Sequence, residues 1–141
     1  MDREDQINEI VNSPTLLQNA AWYGYVLGIR FETEREAAEF FLNEKDKFKN
    51  DPSYLPTFQR ILNIATTLNQ QTDFDRATWY ARAAGQNFQS DIEIAAFYVD
   101  EVTKAKNDSN YKPTFIENLT RANSHQFQQE YGKKQNSTIK R

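Results

Sequence analysis

The segment KNDPSYLPTF, from Lys49 to Phe58, recurs as KNDSNYKPTF, from Lys106 to Phe115, at an offset of 57 residues. The match extends in both directions without a gap. At the same offset further identities include Trp22-Tyr23 with Trp79-Tyr80, Gly28 with Gly85, Phe31 with Phe88, Phe40 with Phe97 and Glu44 with Glu101. Self-similarity at a fixed period is typical of repeat architectures. The sequence therefore predicts a tandem duplication of one unit.

Each unit is predicted to begin with a helix that ends at a glycine. Ser13 followed by Pro14 has the pattern of an N-cap with proline at the first helical position. The apolar segment after it runs to Gly28, and the second copy, which starts near Asp73, runs to Gly85. Glycine just beyond a helix is a common stop because it adopts the left-handed conformation without steric cost.

A capping box predicts the start of a second helix in each unit. Thr33 is followed three residues later by Glu36, and Ser90 stands in the same relation to Glu93. This spacing lets the two side chains satisfy exposed backbone N–H groups at a helix start. Both helices carry an apolar face at helical spacing, formed by Ala37, Phe40, Phe41 and Phe48 in the first copy and Ile94, Phe97, Tyr98 and Val102 in the second.

A third helix is predicted to begin near Leu55 and, in the copy, after Tyr111, where it carries Phe115, Leu119, Ala122 and Phe127. Residues 1–12 match the end of the first unit's third helix and are expected to form a partial lid. The fold class is therefore all-α, a compact bundle of about seven helices. We expect one helical domain over 1–131, with units at 13–71 and 72–131, and a mobile basic tail over 132–141.

Composition limits the classes of function. The chain has no Cys, which excludes disulfides and thiolate metal sites and favours a reducing, cytoplasmic location. It has one His, at position 125, and contains no glycine-rich phosphate loop or serine elbow. We therefore expect a protein that is not an enzyme, with no cofactor, no metal and no small-molecule substrate. No apolar run approaches the length of a membrane span.

Charge is unevenly distributed along the chain. Residues 1–103 hold 9 basic and 17 acidic side chains, whereas residues 104–141 hold 8 basic and 3 acidic ones. A dipolar molecule of this kind suits docking between partners of opposite sign. The candidate nucleic-acid-binding residues are the basic side chains of the repeated Lys-x-Lys-Asn-Asp motif and of the second unit: Lys47, Lys49, Lys104, Lys106, Lys112, Arg121, Lys133 and Lys134.

The repeated motif also has a purely structural interpretation. Lysines in the last turn of a helix complement its dipole, Asn tolerates a left-handed stop, and Asp caps the following turn. Trp22-Tyr23 and Trp79-Tyr80 likewise fit either a core or stacking platforms for bases. Their apolar helical setting favours the core.

The helices that include AAEFFLNEKDKFK (37–49) and IAAFYVDEVTKAK (94–106), in a chain of this size without Cys, resemble the small helical subunit of multi-subunit CRISPR effector complexes. The resemblance covers the whole chain and transfers no individual residue. It implies a non-catalytic subunit of a nucleoprotein assembly in antiviral defence, with protein partners and RNA or DNA backbone contacts. The alternative is a helical protein–protein interaction module, an adaptor, regulator or inhibitor whose acidic first unit binds a basic partner.

Overall fold

The structure, a computed structural model, describes the backbone of residues 2–139 and the side chains of residues 2–133. This part of the chain is helical and contains no strand, which confirms the all-α prediction. A one-turn 3₁₀ helix, Pro52–Tyr54, precedes the fourth of the α-helices. Those described are α1 (Arg3–Val11), α2 (Pro14–Val26), α3 (Glu34–Asn50), α4 (Leu55–Asn69), α5 (Gln71–Ala83), α6 (Asp91–Asn107), α7 (Lys112–Ala122) and α8 (His125–Ile139).

The count of eight α-helices in the described region exceeds the seven expected because of α8. The third helix of the second unit ends at Ala122, and Phe127, which was assigned to it, lies on α8. The segment is rich in Gln and other polar residues, and its two aromatic rings at helical spacing, Phe127 and Tyr131, are too few to predict an amphipathic helix. Residues 132–139 of the predicted tail also belong to α8. The mobility of the tail stays a prediction, and its residues 140 and 141 lie outside the described part.

The chain divides into two units, Met1–Gln70 with α1 to α4 and Gln71–Arg141 with α5 to α8. At the offset of 57 residues, α2 corresponds to α5, α3 to α6 and α4 to α7. The starts of α2 and α3, at Pro14 and Glu34, fall on those of α5 and α6, at Gln71 and Asp91. The two units therefore share a helical frame, as the repeat requires, while their origin by duplication stays a prediction.

The N-cap side chains of the predicted helix starts have the expected hydrogen bonds, whereas the Glu36 carboxylate accepts from the N–H of Glu32 and the Glu93 carboxylate from the Ser90 hydroxyl. The Ser13 hydroxyl accepts from the N–H of Leu16, and the side chains of Thr33 and Ser90 accept from the N–H groups of the Glu residues three positions later. Gly28 and Gly85 have φ of 78° and 79°, the left-handed conformation expected of a stop.

One detail of the repeated motif differs from the expectation. Asn50 and Asn107 are the last residues of α3 and α6, and no residue other than glycine has positive φ in the described chain. The C-cap residues that follow them, Asp51 and Asp108, have an extended backbone. Their carboxylates accept N–H bonds from residues two positions later, so the aspartates cap the turn as predicted.

In the first unit, α2 packs against α1, α3 and α4, and α1 also packs against α3. The helix α1 contributes buried Ile7 and Ile10 to this unit's core. Tyr23, fully buried at the centre, packs against the rings of Phe40, Phe41 and Phe58. This packing confirms a core role for Tyr23.

In the second unit, α5 packs against α6 and α7, and α8 contacts α7. Tyr80 takes the central place and packs against the rings of Phe97, Tyr98 and Phe115. Trp79 is half-buried against Phe127 and Tyr131 of α8. The repeated Trp-Tyr pair thus places its tyrosine in the core of each unit.

Candidate functional site

A buried carboxylate lies at the centre of the first unit. Glu44 on α3 is only 1% exposed, and its Oε1 accepts hydrogen bonds from the hydroxyls of Tyr23, at 2.8 Å, and Tyr54, at 2.5 Å. Its other oxygen lies 2.6 Å from the Nζ of Lys47. A buried charge is costly unless it is paired and hydrogen-bonded, and this carboxylate has three donors.

The second unit contains the same arrangement at the same offset. Glu101 on α6 accepts hydrogen bonds from the hydroxyl of Tyr80, at 2.8 Å, and from that of Tyr111. Lys104, the counterpart of Lys47, lies with its Nζ 3.9 Å from the centre of the Tyr111 ring. We call these two arrangements the Tyr-Glu-Tyr clusters.

The ionisation of the first cluster is shifted by its surroundings. Burial acts to raise the pKa of Glu44, but hydrogen bonds from Lys47, Tyr54 and Tyr23 outweigh it and hold the pKa below its usual value. The same carboxylate raises the pKa of Lys47. Burial, reinforced by the bond to Glu44, raises the pKa of Tyr23 far above its usual range.

In each cluster a carboxylate on one helix accepts hydrogen bonds from two tyrosine hydroxyls of the same unit. No buried polar side-chain atom lacks a hydrogen-bond partner in the described part of the chain. Sequence reasoning paired Glu44 with Glu101 but assigned neither a role. The available signal was their position, because Glu44 lies three residues after Phe41 and four before Phe48, on the apolar face of α3.

Three of the predicted nucleic-acid-binding residues contact groups of their own unit. Lys47 pairs with Glu44, and Lys104 lies over the ring of Tyr111. The guanidinium of Arg121 donates to the carbonyl of Ala83 at 2.8 Å and also bonds Glu117. These contacts give the three side chains structural roles, whereas their binding of nucleic acid stays a prediction.

The other five predicted residues are distributed over several elements. Lys49 is exposed in the last turn of α3, and Lys133 is exposed on α8. Lys134 also lies on α8, but its side chain is outside the described part. Lys106, at the end of α6, and Lys112, at the start of α7, line the same cleft. These two lysines therefore share one cleft of the second unit.

An open apolar cleft lies in the first unit where α2 faces the start of α3. Its volume is about 580 Å³, and we call it the α2–α3 cleft. Glu32, Glu34 and Arg30 also line it. Tyr25 is 42% exposed at its edge. The apolar lining consists of Leu17, Ala21, Tyr25, Ile29, Phe31 and Ala37.

At the equivalent positions of the second unit, an aromatic ring from α8 occupies the cleft. The Tyr131 ring lies 5.9 Å from that of Trp79, and the Arg82 guanidinium lies 4.7 Å from both ring centres. A space of about 90 Å³ remains beside Tyr131, lined by Thr78, Arg82, Phe88 and their neighbours. A second cleft of about 460 Å³ lies between the end of α5 and α8.

The described residues give no sign of a metal site or of a membrane span. No group of three or more His, Asp or Glu side chains within that region could hold a metal ion. None of its helices is long and apolar enough to cross a bilayer. Comparison with family models, curated proteins and solved structures finds no match to this chain. The resemblance to a CRISPR small subunit therefore stays a prediction.

Proposed function

We propose that this chain is a non-catalytic protein–protein interaction module whose first unit binds a basic amphipathic helix in the α2–α3 cleft. The proposal depends mainly on a comparison between the two units. In the second unit, the equivalent cleft holds Tyr131, an aromatic ring presented by a helix. A groove of this shape is suited to helix-in-groove recognition, with anchors spaced three or four residues apart.

The composition of the α2–α3 cleft supports an apolar anchor. Position 21 is Ala where the second unit has Thr78, and position 29 is Ile where it has Gln86. Position 37 is Ala where the second unit has Ile94, which leaves more room. An aromatic or branched side chain entering this cleft would be removed from water, worth about 25 cal/mol per Å² of apolar surface buried.

The charge of the first unit supports a basic partner. Residues 1–70 hold 11 acidic and 7 basic side chains. Glu32 and Glu34 lie at the cleft itself, with Arg30 as the one cation lining it among the described residues. Complementary charge of this kind accelerates association and sets orientation more than it adds affinity.

The nucleoprotein-subunit hypothesis receives less support from the geometry. It depends on basic side chains available to phosphate groups, and Lys47, Lys104 and Arg121 contact groups within their own units. The nucleoprotein-subunit hypothesis can be tested separately. Reversal of Lys104, Lys106, Lys112 and Arg121 to Glu should abolish salt-sensitive binding of a labelled single-stranded oligonucleotide if that hypothesis holds.

The test of the proposal is a titration of the full chain with a synthetic helical peptide. The peptide has about 18 residues, is rich in Ala and Lys, and carries Leu, Tyr and Leu on one face, a length at which an isolated helix forms. Fluorescence anisotropy should give saturable binding. Ala21→Trp, which fills the cleft from an exposed helix position, should weaken binding by about tenfold or more, a loss of roughly 1.4 kcal/mol.

Two controls separate apolar anchoring from charge. Glu32→Lys should weaken binding mainly at low salt, whereas Glu9→Lys, an equal charge change on exposed α1, should have a much smaller effect. A second peptide with Ala in place of Tyr should bind more weakly. Equal affinity of the Tyr peptide for the native chain and for Ala21→Trp would contradict the proposal, as would equal affinity of both peptides for the native chain.

A further inference from the structure

The second unit has a cleft at a place where the first unit has an aromatic ring. Phe48 in the first unit packs against Phe58, with ring centres 4.8 Å apart. The counterparts are Ala105 and Phe115, so the space that the Phe48 ring fills in the first unit is not filled by residue 105. A cleft of about 480 Å³ lies there between the end of α6 and the start of α7. We call it the α6–α7 cleft.

The lining of this cleft combines an aliphatic floor with two cations. Val102, Ala105, Phe115 and Ile116 provide the apolar surface, and Ile116 is 49% exposed. Position 116 is Gln59 in the first unit, and position 102 is Lys45, so the second unit is the more apolar at both places. An exposed large aliphatic side chain beside a cleft is typical of a binding surface.

Lys106 and Lys112 also line the cleft. Within the described side chains, neither ammonium group takes part in an ion pair. The adjacent carboxylate of Asp108 accepts the N–H of Asn110. Position 112 is Leu55 in the first unit, so the pair of lysines occurs only in the second. Two unpaired ammonium groups attract an anion.

From this geometry we propose that the α6–α7 cleft binds a small amphipathic carboxylate, with its aliphatic chain on Val102, Ala105 and Ile116 and its carboxylate between Lys106 and Lys112. The volume falls in the range of small-molecule sites. An aliphatic chain suits the floor better than a nucleobase does. The polar edges of a base would lose water there, and Ser109 is the one hydroxyl in the lining to replace it. This site lies outside the α2–α3 cleft and does not depend on the function proposed above.

The experiment is an isothermal titration of the full chain with decanoate, below the concentration at which decanoate forms micelles. We expect saturable binding of one molecule per chain. Ala105→Phe introduces the residue type found at the equivalent position of the first unit, where Phe48 fills the space. It should reduce the affinity for decanoate by about tenfold or more. Lys106→Gln with Lys112→Gln leaves the floor intact on exposed positions and should reduce affinity by a similar factor.

Two matched controls test whether binding depends on these two lysines and on the carboxylate. Lys45→Gln with Lys49→Gln makes an equal charge change in the first unit and should leave decanoate affinity unchanged. Decanol, which has the chain without the charge, should bind at least about tenfold more weakly. Circular dichroism of each variant establishes that it is folded. The proposal is overturned if the native chain shows no saturable binding, if decanol binds equally well, or if the lysine double variant keeps full affinity.

Discussion

The two units share the same arrangement of helices but differ in which of their clefts a side chain fills. In the first unit, Phe48 fills the space against Phe58, and the α2–α3 cleft is open. In the second, Tyr131 occupies the counterpart of that cleft, and Ala105 leaves the α6–α7 cleft open. The clusters around Glu44 and Glu101 are common to both. Single side chains can therefore change which clefts are open while the core of each unit stays the same.

The largest effect is expected at the buried carboxylates. Glu44→Ala should destabilise the first unit by about 3 kcal/mol, because the buried Tyr23 hydroxyl and the partly buried Tyr54 hydroxyl lose their acceptor. Glu101→Ala should cost less, since Glu101 is 9% exposed against 1% for Glu44 and no ion pair to it is present among the described residues. Urea unfolding followed by the tryptophan of each unit, in Trp79→Phe and Trp22→Phe backgrounds, measures the two separately. Equal costs would remove the distinction between the clusters.

A smaller change in stability is expected from exchanging the residue types at the equivalent positions 48 and 105, where Phe fills a space and Ala leaves it open. Phe48→Ala should cost about 2 kcal/mol, less than full burial would give because Phe48 is only half-buried. Ala105→Phe should change stability by less than about 1 kcal/mol, since it enters an existing cleft. Thermal unfolding by circular dichroism checks both. A large destabilisation by Ala105→Phe would show that the cleft does not accept the ring.

The two helix-stop glycines should respond alike. Gly28→Ala and Gly85→Ala each place a side chain at φ near 78° with no other atom within 4 Å of the new Cβ. The cost is therefore backbone strain alone, about 1 kcal/mol in each unit. The same single-tryptophan urea titrations measure it. Costs that differ widely between the units would mean that their helix ends are not equivalent.

The smallest effect concerns acid stability of the first unit. Because the pKa of Glu44 is below its usual value, the folded state favours the carboxylate form. Its contribution is present above about pH 4.5, near the ordinary pKa of Glu, and is lost as pH falls through the lowered pKa. Lys47→Gln removes the strongest of the hydrogen bonds that lower the pKa and should shift this loss to higher pH.

The measurement is the urea midpoint of the first unit from pH 3 to pH 6, followed by Trp22 in the Trp79→Phe background. Glu4, whose pKa the Arg35 hydrogen bond lowers, contributes in the same direction. Arg35→Gln is therefore the control, and it should not change the difference between the native chain and Lys47→Gln. Superimposable profiles with and without Lys47 would contradict the assigned role of this ion pair.

Local signals predicted most of the helical frame correctly. The caps at Ser13, Thr33 and Ser90 and the stops at Gly28 and Gly85 depend on residues close in sequence, so they could be read directly. The sequence does not predict α8, because Phe127 and Tyr131 are the only aromatic pair at helical spacing in a segment that is otherwise mostly polar. The left-handed ending assigned to Asn was wrong, since the C-cap residues Asp51 and Asp108 have an extended backbone.

The candidate sites were less predictable. The sequence pointed to Lys106 and Lys112 as cations of the second unit, but their common cleft depends on Ala105 and Ile116, which carry no charge or motif. The acidic character of the first unit was visible, whereas the α2–α3 cleft beside Glu32 and Glu34 was not. A cleft forms between residues that are distant in sequence and packed together, so no single position predicts it.

Capping, glycine conformation and helical spacing act over a few residues, so the amino-acid sequence predicts the all-α class, the two-unit period and the ends of most helices. The burial of Glu44 and Glu101 as acceptors for paired tyrosines follows from tertiary packing. So does the filling of two of the clefts, by Tyr131 in one unit and by Phe48 in the other. Those outcomes depend on volume and hydrogen bonding between residues far apart in the chain, and such contacts exist only once the helices have packed.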